Sequence, residues 1–208
     1  MYQVTPTFFA SDLEGVLIPE IWIAVAEKTG IQELFLTTRE IADYDVLMKM
    51  RLEKLSQAGL KMADVETIID GMDALPGAVE FVQWVRERSQ FVIITDSFYQ
   101  FIAPFMRKLN LPSVFAHTLQ VAADGTITGY QLRLQQGKRK AVNALQSIGF
   151  RVLATGDSYN DTAMLTQANL GVLFDPPANV AAEFPQFPIA TSYADLKAHA
   201  EPFFLGAK

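Results

Sequence analysis

Asp12 and Glu14 stand two residues apart behind an apolar run, in Ser11-Asp12-Leu13-Glu14-Gly15. Just beyond a buried strand, side chains at that spacing project the same way. One carboxylate there can attack phosphorus to give an acyl phosphate. Its neighbour can protonate a leaving oxygen and then activate water. The plain alternative for a lone Asp-x-Glu is a solvated loop held by an Asx turn. A second group is Gly156-Asp157-Ser158-Tyr159-Asn160-Asp161. It offers hard oxygen ligands suited to Mg²⁺, or an N-cap from Asn160 or Asp161 for a following helix. Thr95-Asp96-Ser97 presents a hydroxyl and amides to phosphate oxygens, or caps a helix. Gly137-Lys138-Arg139-Lys140 opens a helix, where the dipole disfavours cations. It is a solvated helix start, or a lysine held by some other interaction.

Composition removes competing chemistries. The 208 residues include no Cys and two His, His117 and His199, so thiolate metal sites, disulfides, cysteine nucleophiles and His-rich centres have no material. A metal here has to be a hard, oxygen-liganded cation. The net charge of −6 argues against nucleic acid or an anionic membrane as the main partner. No segment reads as a signal peptide or approaches the roughly 20 apolar residues of a membrane span. A soluble, cytoplasmic protein is expected.

The elements that must position these residues follow from short apolar runs at Thr7–Ser11, Phe91–Thr95, Val152–Thr155 and Leu170–Phe174. Buried strands of a parallel sheet have this character. Between them lie helical patterns, at Ala78–Arg88 after Pro76-Gly77 and at about Lys138 to Ile148 before Gly149. Asp124-Gly125 predicts a hairpin between Thr118–Ala122 and Thr126–Arg133. No strand signal occurs between Ser11 and Phe91, a stretch far exceeding what a direct βαβ unit of about 30 residues uses. Helices at Pro19–Thr29, about Asp43–Ala58 and about Ala63–Asp70 fill it. The expected fold is α/β, a mostly parallel sheet with helices on both faces, formed by residues 1–18 and 77–208. A small helical insertion, residues 19–76, emerges at the ligand-binding edge of the sheet. The Ile18–Pro19 and Leu75–Gly77 connections read as hinges.

All four chemical groups follow strands or open helices on that one edge, so they can converge. Their order resembles the four motifs of the haloacid dehalogenase (HAD) superfamily of phosphoryl-transfer enzymes, over nearly the whole chain, with the insertion where that family carries a cap. By that resemblance Asp12 is the phosphoryl-accepting nucleophile. Glu14 stands where the family usually has its Asp acid/base. Thr95 binds phosphate, Lys138 neutralises the phosphoryl charge, and Asp157 is the main Mg²⁺ ligand with Asp12 and the Glu14 carbonyl. Asp161 is a secondary or water-mediated ligand, and Asp96 and Asn160 join the substrate contacts. Such a set meets the needs of a phosphoryl transition state, with an in-line nucleophile and cations around the equatorial oxygens.

Within the insertion, Tyr44, Leu47, Met48, Arg51 and Leu55 form a helical stripe. Arg51 thus lies on the apolar face. It either snorkels to water or grips a carboxylate from a hydrophobic site. Glu20 can receive an ammonium group. Glu20, Tyr44 and Arg51 resemble the substrate contacts of the phosphoserine phosphatase branch. The stretches Pro19-Glu20-Ile21-Trp22, Asp43-Tyr44-Asp45-Val46-Leu47-Met48 and Glu183-Phe184-Pro185-Gln186-Phe187-Pro188 resemble its ThrH-type members. The resemblance implies hydrolysis of phosphoserine, with homoserine as a second acceptor. The other readings are a phosphatase for a different small phosphomonoester, a phospho-accepting signalling module, and a non-catalytic binding protein. Against the family's pattern, Glu14 replaces Asp, Asp96 replaces a frequent Gly, Thr95 replaces a frequent Ser, and Ser11 is polar where the strand is usually apolar.

Overall fold

The four apolar runs become neighbouring strands in the computed structural model, which describes residues 5–37, 40, 41 and 43–206. The first four and last two residues of the expected core and three positions of the insertion (38, 39 and 42) lie outside that range. The strands are β1 (Thr7–Ser11), β2 (Gln90–Phe98), β3 (Ser113–Val121), β4 (Ile127–Gln131), β5 (Arg151–Gly156), β6 (Leu170–Phe174) and β7 (Ile189–Ala190). They form one sheet in the order β4-β3-β2-β1-β5-β6-β7, parallel except for the β3–β4 hairpin. β1 is central: Ser11 pairs with Ile93 of β2 and with Thr155 of β5. The chain therefore leaves β1 first to one side and later to the other, and the crevice at the strands' carboxyl ends opens beside Asp12.

Alternation along the strands covers both faces. Phe9, Ile93 and Leu153 join one apolar layer with Phe81 of α4 (Ala78–Arg86) and Phe101 and Phe105 of α5 (Tyr99–Lys108). Ala10, Val92 and Ala154 join the other, with Val142 of α6 (Gly137–Ser147) and Met164 of α7 (Thr162–Gln167). Helices on both faces are what buried parallel strands require.

Two strands run further than their sequence suggests. β2 continues to Phe98, and its pairing with β3 slips between Ile94 and Phe98, so Thr95-Asp96-Ser97 lies in an irregular stretch that re-aims side chains. β3 serves as both a sheet strand and a hairpin arm, pairing parallel with β2 and then antiparallel with β4. The Asp124-Gly125 turn closes the hairpin as expected, with Gly125 at φ +86°.

Between β1 and α4 the chain forms α1 (Ile21–Thr29), a 3-10 turn (Gln32–Phe35), α2 (Tyr44–Gln57) and α3 (Met62–Asp70). Asp43 caps α2 by accepting the amides of Asp45 and Val46. Gly30 ends α1 in the left-handed conformation. The incoming and outgoing connections touch, Leu75 N–H donating to Leu17 C=O at 2.9 Å. Ile21, Val25, Met48, Val65 and Ile69 share one unbroken apolar cluster with Phe98 and Phe101. Trp22 packs edge-on against Phe101 at 5.5 Å. None of the described helices is long and apolar enough to cross a membrane.

Candidate active site

Lys138 organises the mouth of the crevice. Its Nζ lies 2.9 Å from Asp12 Oδ2, 2.7 Å from Asp161 Oδ1 and 3.5 Å from Asp96 Oδ2, and the side chain is only 5% exposed. The solvated helix start is thereby replaced by a buried ammonium among three carboxylates. Burial works against its charge, but Asp12, Asp161 and Asp96 hold its pKa well above the usual lysine value.

The end of β1 fixes Asp12. Its amide donates to Thr155 C=O at 2.9 Å, and its Oδ1 accepts the Leu13 amide at 2.8 Å. Ser11, whose polarity the sequence does not explain, is fully buried and donates its hydroxyl to the Asp12 carbonyl at 2.6 Å. The carboxylates of Asp12, Asp157 and Asp161 offer oxygens within 4.8 Å of one another, all buried. Burial, then Asp161, raises Asp12 well above an ordinary Asp. Burial, Asp161 and then Glu20 push Asp157 up to about 7. Crowded buried carboxylates with raised pKa are a hard-oxygen donor set short of positive charge, so the residues fit a divalent cation.

Two glycines make the crowding possible. Gly15 has φ +74°, and a Cβ on it would lie 2.6 Å from Asp157 Cγ. A Cβ on Gly156 would lie 2.2 Å from Asp161 Cγ. Asp161 does not cap α7 with its side chain. Its Oδ2 instead reaches back to the amides of Asp157 and Ser158, at 3.1 and 3.2 Å, while Oδ1 takes Lys138. Asn160 is not a cap either, since its Nδ2 donates to Asp96 Oδ2 at 3.0 Å. Thr95 likewise caps nothing: Phe98 precedes α5 without a side-chain cap, and Thr95 Oγ1 accepts the Ser97 amide at 3.1 Å.

The helical insertion closes the other wall of a cavity of about 250 Å³ that takes in Asp12, Glu14, Glu20, Arg51, Thr95 and Lys138. Glu14 Oε2 accepts the Ile21 amide, at the start of α1, at 3.0 Å. Glu20 opens to water in the cleft but is walled by protein. Desolvation, followed by Glu14, pushes it up to about 7. Arg51 does not snorkel: its side chain is inside, with the guanidinium 4.8 Å from the Trp22 ring centre. Its Nη2 donates to Leu36 C=O at 2.9 Å, and among the described residues its Nε has no partner. Burial lowers its pKa to about 10, against the pull of Glu14, Tyr44 and Glu20. Tyr44 reaches across to donate to the Asp96 carbonyl at 2.9 Å.

Asp12, Glu14, Glu20, Tyr44, Arg51, Thr95, Asp96, Lys138, Asp157 and Asn160 thus line one cavity, and Asp161 braces it from behind. His117 was missed. It is buried at the β3 position opposite Phe98, accepts the Arg133 amide on Nδ1 at 3.1 Å, and turns Nε2 toward Asp96 Oδ1 at 3.5 Å. Its scarcity was the available signal, but nothing local in the sequence links positions 96 and 117.

A central strand bearing a carboxylate at the crevice, a buried lysine beside it and clustered acids opposite define an α/β phosphoryl-transfer enzyme. The chain belongs to the haloacid dehalogenase-like hydrolase family, whose model matches residues 8–166. Among curated proteins it is similar to phosphoserine phosphatase ThrH of Pseudomonas aeruginosa, 55% identical over 186 residues, covering 89% of this chain and 91% of that one. It is also 53% identical to a phosphoserine phosphatase of Pseudomonas syringae pv. tomato over 89% of this chain and 78% of that protein. Among solved structures, the apo form of a phosphoserine phosphatase shares the fold, with a TM-score of 0.73 and 20% identity over 88% of this chain and 92% of that one. A phospho-aspartyl intermediate analogue of phosphoserine phosphatase matches equally well, at a TM-score of 0.73 and 20% identity over 89% and 92%.

Proposed function

We propose that this protein hydrolyses O-phospho-L-serine through a phosphoryl group carried on Asp12, and can pass that group to L-homoserine. The observation that carries the reading is the meeting of two half-sites in one cavity. Asp12, Lys138 and Thr95 face a phosphoryl group at the strand ends. Arg51 and Glu20 offer a buried cation and an anion to the two ends of an amino-acid zwitterion. The curated relatives named as phosphoserine phosphatases support the substrate.

In this reading the Asp12 carboxylate attacks phosphorus in line while the bond from phosphorus to the serine oxygen breaks. Glu14 donates a proton to that oxygen, and serine leaves. Glu14 then takes a proton from water as the water oxygen attacks phosphorus, which frees Asp12 and yields phosphate. A homoserine hydroxyl in place of water gives the transfer reaction. Lys138 and the Thr95 hydroxyl hold the phosphoryl oxygens. Asp12, Asp157 and the Glu14 carbonyl would hold Mg²⁺, which when bound offsets phosphoryl charge. Asp161 keeps Lys138 and the Asp157 loop in place, and would be a secondary or water-mediated ligand to the same ion. Residues 19–76 form the cap that excludes water over a core of residues 1–18 and 77–208. A cytoplasmic location belongs to the same reading, because a phosphorylated amino acid is a charged metabolite.

The test compares phosphate release from phosphoserine and from a generic aryl phosphate. Asp12→Asn should abolish both. Arg51→Ala should cut kcat/KM on phosphoserine roughly 30-fold or more, equivalent to about 2 kcal/mol for a lost charge-assisted hydrogen bond, and leave the aryl phosphate nearly unchanged. Equal loss on both substrates would remove the amino-acid assignment in favour of another small phosphomonoester. Product analysis with and without homoserine decides the acceptor.

A further inference from the structure

Asp96 is a carboxylate where an incoming phosphate dianion least favours one. It follows the phosphate-facing Thr95, shares the cavity with Asp12, and lies 3.5 Å from the same Lys138 ammonium that contacts Asp12. Four parts of the chain hold it. His117 of β3 faces Oδ1 with Nε2. Since Nδ1 accepts the Arg133 amide, Nε2 is the protonated, donating nitrogen. Asn160, before α7, donates to Oδ2, and Lys138 of α6 stands beside it. Tyr44 of α2 fixes its carbonyl. Burial works against the charge, yet Lys138, His117 and Asn160 keep the carboxyl well below the ordinary Asp range, so it stays ionised at any working pH.

We infer that Asp96, aimed by His117, is a specificity residue that weakens binding of free phosphate and so favours its departure from the site. This rests on the assignment of Lys138 and Thr95 as the phosphoryl-binding groups. The physical basis is a difference in charge. Free phosphate is a mixture of monoanion and dianion near neutral pH and a dianion above it, with its charge held on compact oxygens. The phosphoryl group in flight between oxygens has a looser, metaphosphate-like distribution over its equatorial oxygens. A fixed carboxylate beside the shared lysine therefore opposes the product more strongly than the transition state, and differential binding of that kind raises turnover. Asp96 acts on the phosphate through space and through Lys138. His117 acts only through Asp96 and is a positioning residue.

The experiment is calorimetric titration of Mg²⁺-loaded protein with inorganic phosphate, together with phosphate inhibition of aryl phosphate hydrolysis. Neither readout depends on whether phosphoserine is the substrate, so failure here is distinct from failure of that assignment. Asp96→Asn removes the charge with little change in volume, and Asp96→Ala removes it without leaving an amide against His117. Both should bind phosphate about tenfold more tightly and show stronger product inhibition, with a lower kcat limited by phosphate release. His117→Ala, which frees the carboxylate without removing it, should change phosphate affinity less than either variant. A purely structural Asp96 would instead give weaker phosphate binding in variants that lose stability. Unchanged or weaker phosphate binding in either Asp96 variant with a wild-type melting profile overturns the inference.

Discussion

Gly15 is constrained from two directions. Its left-handed φ of +74° costs an ordinary residue about 1–2 kcal/mol, and the space its Cβ would take is filled by the Asp157 carboxyl. Gly15→Ala is therefore expected to displace Asp157, weaken Mg²⁺ affinity at least about tenfold (about 1.4 kcal/mol), and lower stability by about 1–2 kcal/mol. Cation titration by calorimetry and denaturant unfolding measure the two effects, and unchanged Mg²⁺ affinity would show that the loop relaxes freely. At this scale the sequence was informative where residue type and spacing are the signal, as for Asp12, Glu14 and Asp157. It was silent where a role comes from a neighbour distant in the chain. Ser11 is explained only by the carbonyl its hydroxyl reaches, and His117 only by Asp96.

Helix α2 meets the sheet through Tyr44, whose hydroxyl bonds the carbonyl next to Thr95. Tyr44→Phe removes that one hydrogen bond and keeps the ring against His117 and Tyr130. The expected outcome is a KM for phosphoserine raised roughly fivefold, near the ~1 kcal/mol of one such bond, with the thermal midpoint little changed. Steady-state kinetics decide it, and a fall in kcat with constant KM would place Tyr44 in the chemistry instead. Most elements were readable from apolar periodicity and Gly or Pro stops, within a residue or two at their ends. β2 was not. The polar stretch Thr95-Asp96-Ser97 reads locally as a strand end and a helix cap, and only its irregular pairing beside β3 carries the strand on to Phe98.

Across the whole molecule, acids with raised pKa make the metal-free fold sensitive to pH. Glu20 and Asp157 titrate near 7 in the fold against ordinary values of 4.5 and 3.8, and Asp12 is raised as well. Between those limits the folded protein holds protons that the unfolded chain has released, so stability falls as pH rises through the window. With chelator present, the thermal midpoint should be higher near pH 5.5 than near pH 7.5. Saturating Mg²⁺ should shrink the difference, as should Asp157→Asn. A midpoint independent of pH would mean the acids are not destabilised together. The parallel sheet and the convergence of four motifs on one edge were legible because strand ends of a parallel sheet share a side. The burial of Arg51 was not, since a lone cation on an apolar stripe is compatible with either direction until Trp22 and Leu36 are seen around it.

The bond between Leu75 N–H and Leu17 C=O joins the chain entering the helical insertion to the chain leaving it. A loop whose two ends already touch can be exchanged for another of any length without disturbing the strand order beneath. The replacement must bring its own greasy underside, because Phe98 and Phe101 would otherwise meet water. Substrate choice and bond-breaking machinery are in that sense separable modules, able to diverge at different speeds within one polypeptide.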